Sequence, residues 1–312
     1  MKKLLLVIVL FIPTALSFGQ TAEEFDAMAD KKIEAKDFQY AMVMIDKAIA
    51  LDSKNQWYLL KKAEIQFALS GPKDALKIVG RAIKLDEKNA EAYSRAGVYY
   101  DSSGMTDSAL YMYNQAISHA TNDTSKHSYI MNRGTARLGN RDFKGAVKDF
   151  ETVLAFDPVN IAALNNVSAC YGDLGMMDKS IQSLKKIIVL DPSFIGPYVN
   201  LGFIYADTDS LDLALSYFNK ALAIDSQDAL IYNNRGYVFY KKGDYTNALK
   251  DINLSIKLYP TNSYAYRNLA LVYLAQGKKK EACSVLEYAR DYGFEQRYGP
   301  EVNELMKKNC KK

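Results

Sequence analysis

Residues 229–262, ALIYNNRGYVFYKKGDYTNALKDINLSIKLYPTN, recur along most of the 312-residue chain with their surface residues exchanged. With Ala229 as position 1, small residues stand at position 8 (Gly236) and position 20 (Ala248), and Pro260 at position 32. The same register gives eight windows, at residues 22–55, 56–89, 90–123, 127–160, 161–194, 195–228, 229–262 and 263–296, with one insert, Thr124 to Lys126. Position 8 reads Ala29, Ala63, Gly97, Gly134, Ser168, Gly202, Gly236 and Ala270; position 20 reads Ala41, Ala75, Ala109, Ala146, Ser180, Ala214, Ala248 and Ala282. Ala, Gly and Ser make up about a quarter of ordinary chains, so chance would produce sixteen small residues in sixteen on the order of once in a billion.

Each window predicts two amphipathic helices. Apolar residues fall at helical spacing at positions 4, 8 and 11 (Tyr198, Gly202, Tyr205) and again at 17, 20, 21, 24 and 28 (Tyr245, Ala248, Leu249, Ile252, Ile256). Gly104, Gly175, Gly243 and Gly277 at position 15 predict a helix end with positive φ. Pro158, Pro192 and Pro260 stop the second helix, and Asn55, Asn89, Asn160, Asp228 and Asn262 are expected to cap the next. Small residues at positions 8 and 20 let the paired helices approach closely.

A 34-residue helical hairpin with this pattern resembles the tetratricopeptide repeat, over residues 22–296. The resemblance implies an all-α solenoid, coiled into a superhelix of eight helix-turn-helix repeats. Residues 297–312 are expected to add a capping helix opened by Pro300, with Val302, Leu305 and Met306 apolar on one side. Lys32, Gln66 and Arg137 depart from the family's aromatic at position 11.

Residues 1–20 carry Lys2 and Lys3, an apolar run from Leu4 to Phe18 and small residues at Ser17 and Gly19, the pattern of a cleaved signal peptide. The run is short for a membrane span and Pro13 interrupts it, so the expectation is an exported protein, periplasmic or secreted, with no transmembrane span in the mature chain. Lys2 and Lys3 lie in the leader, leaving 38 basic against 36 acidic residues. That near-neutral balance, with no basic stripe interleaved with aromatics, argues against nucleic acid as a partner.

No phosphate-binding loop, nucleophile elbow or zinc signature is present, and the sequence implies no enzyme, cofactor or metal. His119 and His127 flank the insert and read as surface-loop residues. Arg133 with Asp149, and Arg235 with Asp251, occupy positions 7 and 23 of their windows and are expected to pair between helices, whereas Arg137 has no obvious partner.

At position 6, Asn132, Asn166, Asn200, Asn234 and Asn268 recur without a break. An amide offers a donor and an acceptor, enough to hold one peptide unit of an extended chain. The resemblance implies that the first helix of each hairpin lines a concave groove in which such a ladder grips peptide backbone. Its other positions there are acidic in the first repeat (Glu23, Asp26, Asp30, Glu34). In the last three they are aromatic or apolar (Phe203, Tyr237, Tyr240, Tyr264, Leu271, Leu274), beside Asn233 and Arg267. The expected function is a non-catalytic scaffold that binds a protein or extended peptide. The alternative is a structural subunit of a cell-envelope assembly that uses convex or end surfaces; an enzyme is a distant third reading. Cys170 reads as a small buried apolar residue, whereas Cys283 and Cys310 are a candidate disulfide between the last repeat and its cap.

Overall fold

The computed structural model describes residues 20–310; apart from Gln20, the leader expected over residues 1–20 lies outside the described residues. The described residues form α-helices in consecutive packed pairs, an all-α solenoid, and divide within α7 into an N-terminal unit ending at Ala136 and a C-terminal unit beginning at Arg137. The N-terminal unit holds α1 (Ala22–Glu34), α2 (Phe38–Leu51), α3 (Gln56–Ser70), α4 (Pro72–Leu85), α5 (Ala90–Ser102), α6 (Thr106–His119) and most of α7 (Asp123–Gly139). The C-terminal unit holds α8 (Phe143–Phe156), α9 (Ile161–Asp173), α10 (Met177–Leu190), α11 (Ile195–Asp207), α12 (Leu211–Ile224), α13 (Ala229–Lys241) and α14 (Tyr245–Leu258). It ends with α15 (Ser263–Ala275), α16 (Lys279–Asp291), α17 (Phe294–Tyr298) and α18 (Glu301–Asn309).

Side-chain caps set many of the helix starts. The side chains of Asn55, Asn89, Asn160 and Asp228 accept from backbone N–H groups in the first turns of α3, α5, α9 and α13, satisfying donors that a helix leaves unpaired. Asn262 does not cap α15: it is buried, and its Nδ2 donates to Ser255 Oγ at 3.4 Å. Between paired helices, Gly104, Gly175, Gly243 and Gly277 have φ of 71° to 77°, but Lys36, Arg141 and Asp209 take the same turn at 58° to 62° without being glycine. Helix packing therefore imposes the turn, and glycine only lowers its cost.

Every position-20 residue, from Ala41 to Ala282, is buried, as is every position-8 residue. The tightest approach is between position 8 and position 24. A Cβ added to Gly97 would lie 2.6 Å from the Tyr113 ring, one on Gly202 2.6 Å from the Phe218 ring, and one on Gly236 2.7 Å from Ile252 Cγ1. Ser168 and Ser180 fit the same seam because both hydroxyls find carbonyls, Ser180 Oγ donating to Ser168 O at 2.9 Å and Ser168 Oγ to Asn165 O at 2.7 Å.

The insert is not a loop. Residues 124–126 lie inside α7, whose Ser125 N–H is capped by Asn122 Oδ1 at 2.8 Å, so they lengthen that helix. His127 consequently sits within α7, with Nδ1 2.7 Å from Asp123 O, and His119 ends α6 stacked on Tyr93. Arg137 does have a partner: its Nη1 donates to Asp149 at 2.7 Å and to Gly145 O at 3.3 Å. The missing aromatic at position 11 is thus replaced by a guanidinium whose charge is met by a buried carboxylate. Arg235 pairs with Asp251 through Nε and Nη2 at 2.6 and 2.9 Å. Arg133 Nη1 donates to Asn114 at 2.6 Å.

Candidate functional site

In the C-terminal unit the first helices of successive pairs, α9, α11, α13 and α15, each carry an amide at position 6, Asn166, Asn200, Asn234 and Asn268. Asn200 and Phe203 line a cleft of about 360 Å³ with Ser168, Ala169 and Asp173 from α9. Phe203 also lines a more enclosed pocket of about 170 Å³ with Asn234, Tyr237, Tyr264 and Asn268. Asp207 at this pocket's rim, unpicked by periodicity, adds a carboxylate. Phe203 is 45% exposed and rests edge-on against the buried Phe218 ring, so the next layer fixes its position. Tyr240 lies tilted against Tyr237 at 5.9 Å between ring centroids and stands behind the pocket wall. Burial raises the phenol pKa of both Tyr240 and Tyr264, keeping both as neutral hydrogen-bonding groups.

The last rung is different. Asn268 is only 1% exposed; its Nδ2 donates to Asn233 Oδ1 at 2.9 Å, and its own oxygen accepts from Arg267 Nη1 at 2.7 Å. Asn233 is 3% exposed and Arg267 9%. The Arg267 guanidinium lies 5.4 Å from the centroids of both Tyr237 and Tyr264, and its Nε donates to Glu301 of α18 at 3.0 Å. Burial pulls the Arg267 pKa down, but the hydrogen bonds and charge of Glu301 outweigh it and hold it above its ordinary value. Asn233, Arg267 and Asn268, expected to face a partner, are thus corrected to an internal network closed by the terminal helix. A polar group already desolvated and paired has little left to offer a ligand. Asn166 remains half-buried on α9.

The terminal helix is fastened. Val302 is fully buried among Leu286, Ala289 and Phe294, and Cys283 and Cys310 form a disulfide with Cα atoms 5.7 Å apart. Cys170 is a buried free thiol whose pKa burial pushes up to about 11, which leaves it unreactive.

Asn132 belongs to the N-terminal unit and lines a cleft of about 390 Å³ with Glu64, Glu91, Arg95, Phe67, Tyr99 and Tyr129. Counted in the 34-residue register, position 6 in the two preceding repeats is Lys61 and Arg95 rather than Asn. Lys61 bridges to Asp26 at 2.5 Å and Asp30 at 2.7 Å; Arg95 bridges to Glu64 at 2.7 Å and Glu91 at 2.8 Å. The acidic residues read as a groove lining in the first repeat are therefore in part countercharges, with Asp26 and Asp30 held by Lys61. The signal was in the sequence: each base at position 6 follows an acid at position 9 of the repeat before it, Asp30 or Glu64.

Four profiles of the tetratricopeptide repeat family match the chain, one described as a TPR repeat at residues 204–243 and three as the tetratricopeptide repeat at 161–194, 229–262 and 252–284. Among solved structures, a tetratricopeptide repeat protein from Parabacteroides merdae ATCC 43184 superposes with a TM-score of 0.64 at 18% identity, covering 82% of this chain and 99% of that one. PilW, described as a type IV pilus biogenesis factor, gives 0.59 at 18% identity over 66% of this chain and 94% of its own. MamA gives 0.47 at 28% identity over 52% of this chain and 95% of its own. The first two similarities are of fold.

Proposed function

We propose that this chain, a tetratricopeptide-repeat protein and so a protein-interaction scaffold, holds an extended segment of a partner protein along α9, α11 and α13 of its C-terminal unit. The observation that carries this reading is that Phe203 is shared between two adjoining hollows, each with its own amide, Asn200 in one and Asn234 in the other. An amide can donate to a carbonyl and accept from an N–H of one peptide unit without reading the side chain, while the aromatic pocket takes one large apolar side chain. Tyrosines around it offer contact area at low entropic cost. The role is non-catalytic and needs no cofactor or metal. An exported, periplasmic or secreted location is part of the proposal; the leader-like residues 1–20 and the Cys283–Cys310 disulfide support it, since such bonds persist in oxidising compartments.

The test selects binders from a displayed library of random peptides on the intact protein and compares wild type with the double variant Asn200→Ala/Asn234→Ala. Each lost amide contact is worth about 0.5–1.5 kcal/mol, so affinity should fall roughly 5- to 100-fold while the melting temperature stays put. Unchanged affinity in a folded double variant, or unfolding of that variant, rejects the reading.

A further inference from the structure

The cleft of the N-terminal unit carries a different chemistry from the pocket around Asn234, and it is the larger of the two, about 390 Å³ against about 170 Å³. Its walls are aromatic. Phe67 and Tyr99 are stacked with centroids 4.9 Å apart, and Tyr129 stands opposite with its hydroxyl directed at Glu91 at 3.4 Å. Its charge is negative, because two carboxylates, Glu64 and Glu91, share the single guanidinium of Arg95. The two carboxylate side chains remain 55% and 40% exposed. Burial first, and then the charges of these carboxylates, push the Tyr99 phenol pKa up to about 12 despite the opposing charge of Arg95.

Arg95 itself shows what the cleft accommodates. Its guanidinium is held by carboxylates on two helices and lies 5.9 Å from the ring centroid of Trp57. A flat or compact cation between carboxylates and aromatic faces gains from both.

We propose that this cleft is a second recognition site, one that seats a lysine or arginine side chain of a partner segment against the Phe67–Tyr99 stack with its charge on Glu64 and Glu91. The occupant is fixed by charge complementarity, since a carboxylate-bearing segment would meet two like charges where a cation meets opposite ones. Asn132 on the same wall supplies an amide for the backbone beside that side chain. The site stands independently of the pocket around Asn234, since no residue is common to the two.

Trp57, the only tryptophan in the chain, makes the test direct because Arg95 links it to the cleft. The intact protein is titrated with the acetylated, amidated pentapeptide Ser-Arg-Ser-Arg-Ser and with its Ser-Glu-Ser-Glu-Ser counterpart, followed by calorimetry and by Trp57 emission. The basic peptide should bind saturably, and more weakly as salt rises, while the acidic one should not bind. Glu64→Gln/Glu91→Gln should weaken binding by about tenfold or more, and Glu64→Gln alone by about threefold. The single variant, at an exposed side chain, serves if the double variant loses its fold. Asn200→Ala/Asn234→Ala should bind the basic peptide as wild type does, which separates failure here from failure of the C-terminal reading. No saturable binding, equal binding of the acidic peptide, or wild-type affinity in the folded Glu→Gln variants overturns the proposal.

Discussion

Position 6 of the second and third repeats, both in the N-terminal unit, is Lys61 and Arg95, each clasped by two carboxylates; from Asn132 at the end of that unit it turns to amide, and in the C-terminal unit it is Asn166, Asn200, Asn234 and Asn268. One backbone register thus carries an ionic version and an amide version of the same inner surface. The bonds run the same way in both: Lys61 reaches back to Asp26, and Asn268 reaches back to Asn233, in each case position 5 of the preceding repeat. Position 6 is accordingly first a stitch between repeats. It becomes a recognition group only where its neighbours leave part of it open. That condition separates Asn234, half-buried in the pocket wall with its oxygen accepting from Asn233 Nδ2 at 3.4 Å, from Asn268, which is buried with both ends of its amide engaged.

The contrast can be broken most forcefully at the disulfide, which belongs to the C-terminal unit alone. Cys310→Ser opens a loop of 27 residues' separation and should cost about 3–4 kcal/mol in the chain-entropy model. Hydrogen exchange should show the loss in α15–α18 with α1–α6 unchanged; equal loss in both units would mean that they do not hold their stability separately.

A smaller effect comes from the helix seams. Gly97→Ala and Gly202→Ala each drive a Cβ to 2.6 Å from a buried ring, Tyr113 or Phe218, and should destabilise by about 1–3 kcal/mol. The first should lower protection in the N-terminal unit and the second in the C-terminal unit. Gly80→Ala is the control: nothing lies within 4 Å of its added Cβ, so it should stabilise α4 by up to about 1 kcal/mol. A cost at Gly80 equal to that at Gly202 would remove packing as the cause.

The smallest effect sharpens what the units share. Lys36 in one and Arg141 in the other hold φ near 60° without being glycine. Lys36→Gly and Arg141→Gly should each stabilise by about 0.5 kcal/mol, the relief of left-handed strain being partly offset by glycine's greater freedom when unfolded. Chemical denaturation reads both, and a loss in either would show that the side chain there makes a contact worth more than the strain.

The fold was legible because its cause is local. Small residues at positions 8 and 20 are demanded by helices that touch, whatever the surface carries. The position-15 turn was legible only where glycine marks it; at Lys36, Arg141 and Asp209 packing forces the same backbone on residues that give no sign of it. The candidate site was legible as a periodicity but not as an accessibility. Nothing in the spacing of Asn268 or Arg267 tells that Glu301, more than thirty residues on, returns to cover them. Arg137 escaped for a similar reason, its partner Asp149 lying twelve residues away across a turn rather than at the register seen for Arg235 and Asp251.

The sharing of Phe203 by two neighbouring hollows also bears on how a bound chain would have to be written. Adjacent packed helices lie about 8–10 Å apart, and an extended chain advances about 3.3 Å per residue. A strand crossing α9, α11 and α13 would therefore meet a fresh helix about every third residue, and would present the same side of its backbone each time only in a conformation that repeats every three. Such a conformation exists, the left-handed polyproline helix, with three residues per turn. The spacing of Asn200 and Asn234 would then select among partners by the rhythm of their sequence as much as by any single residue in it.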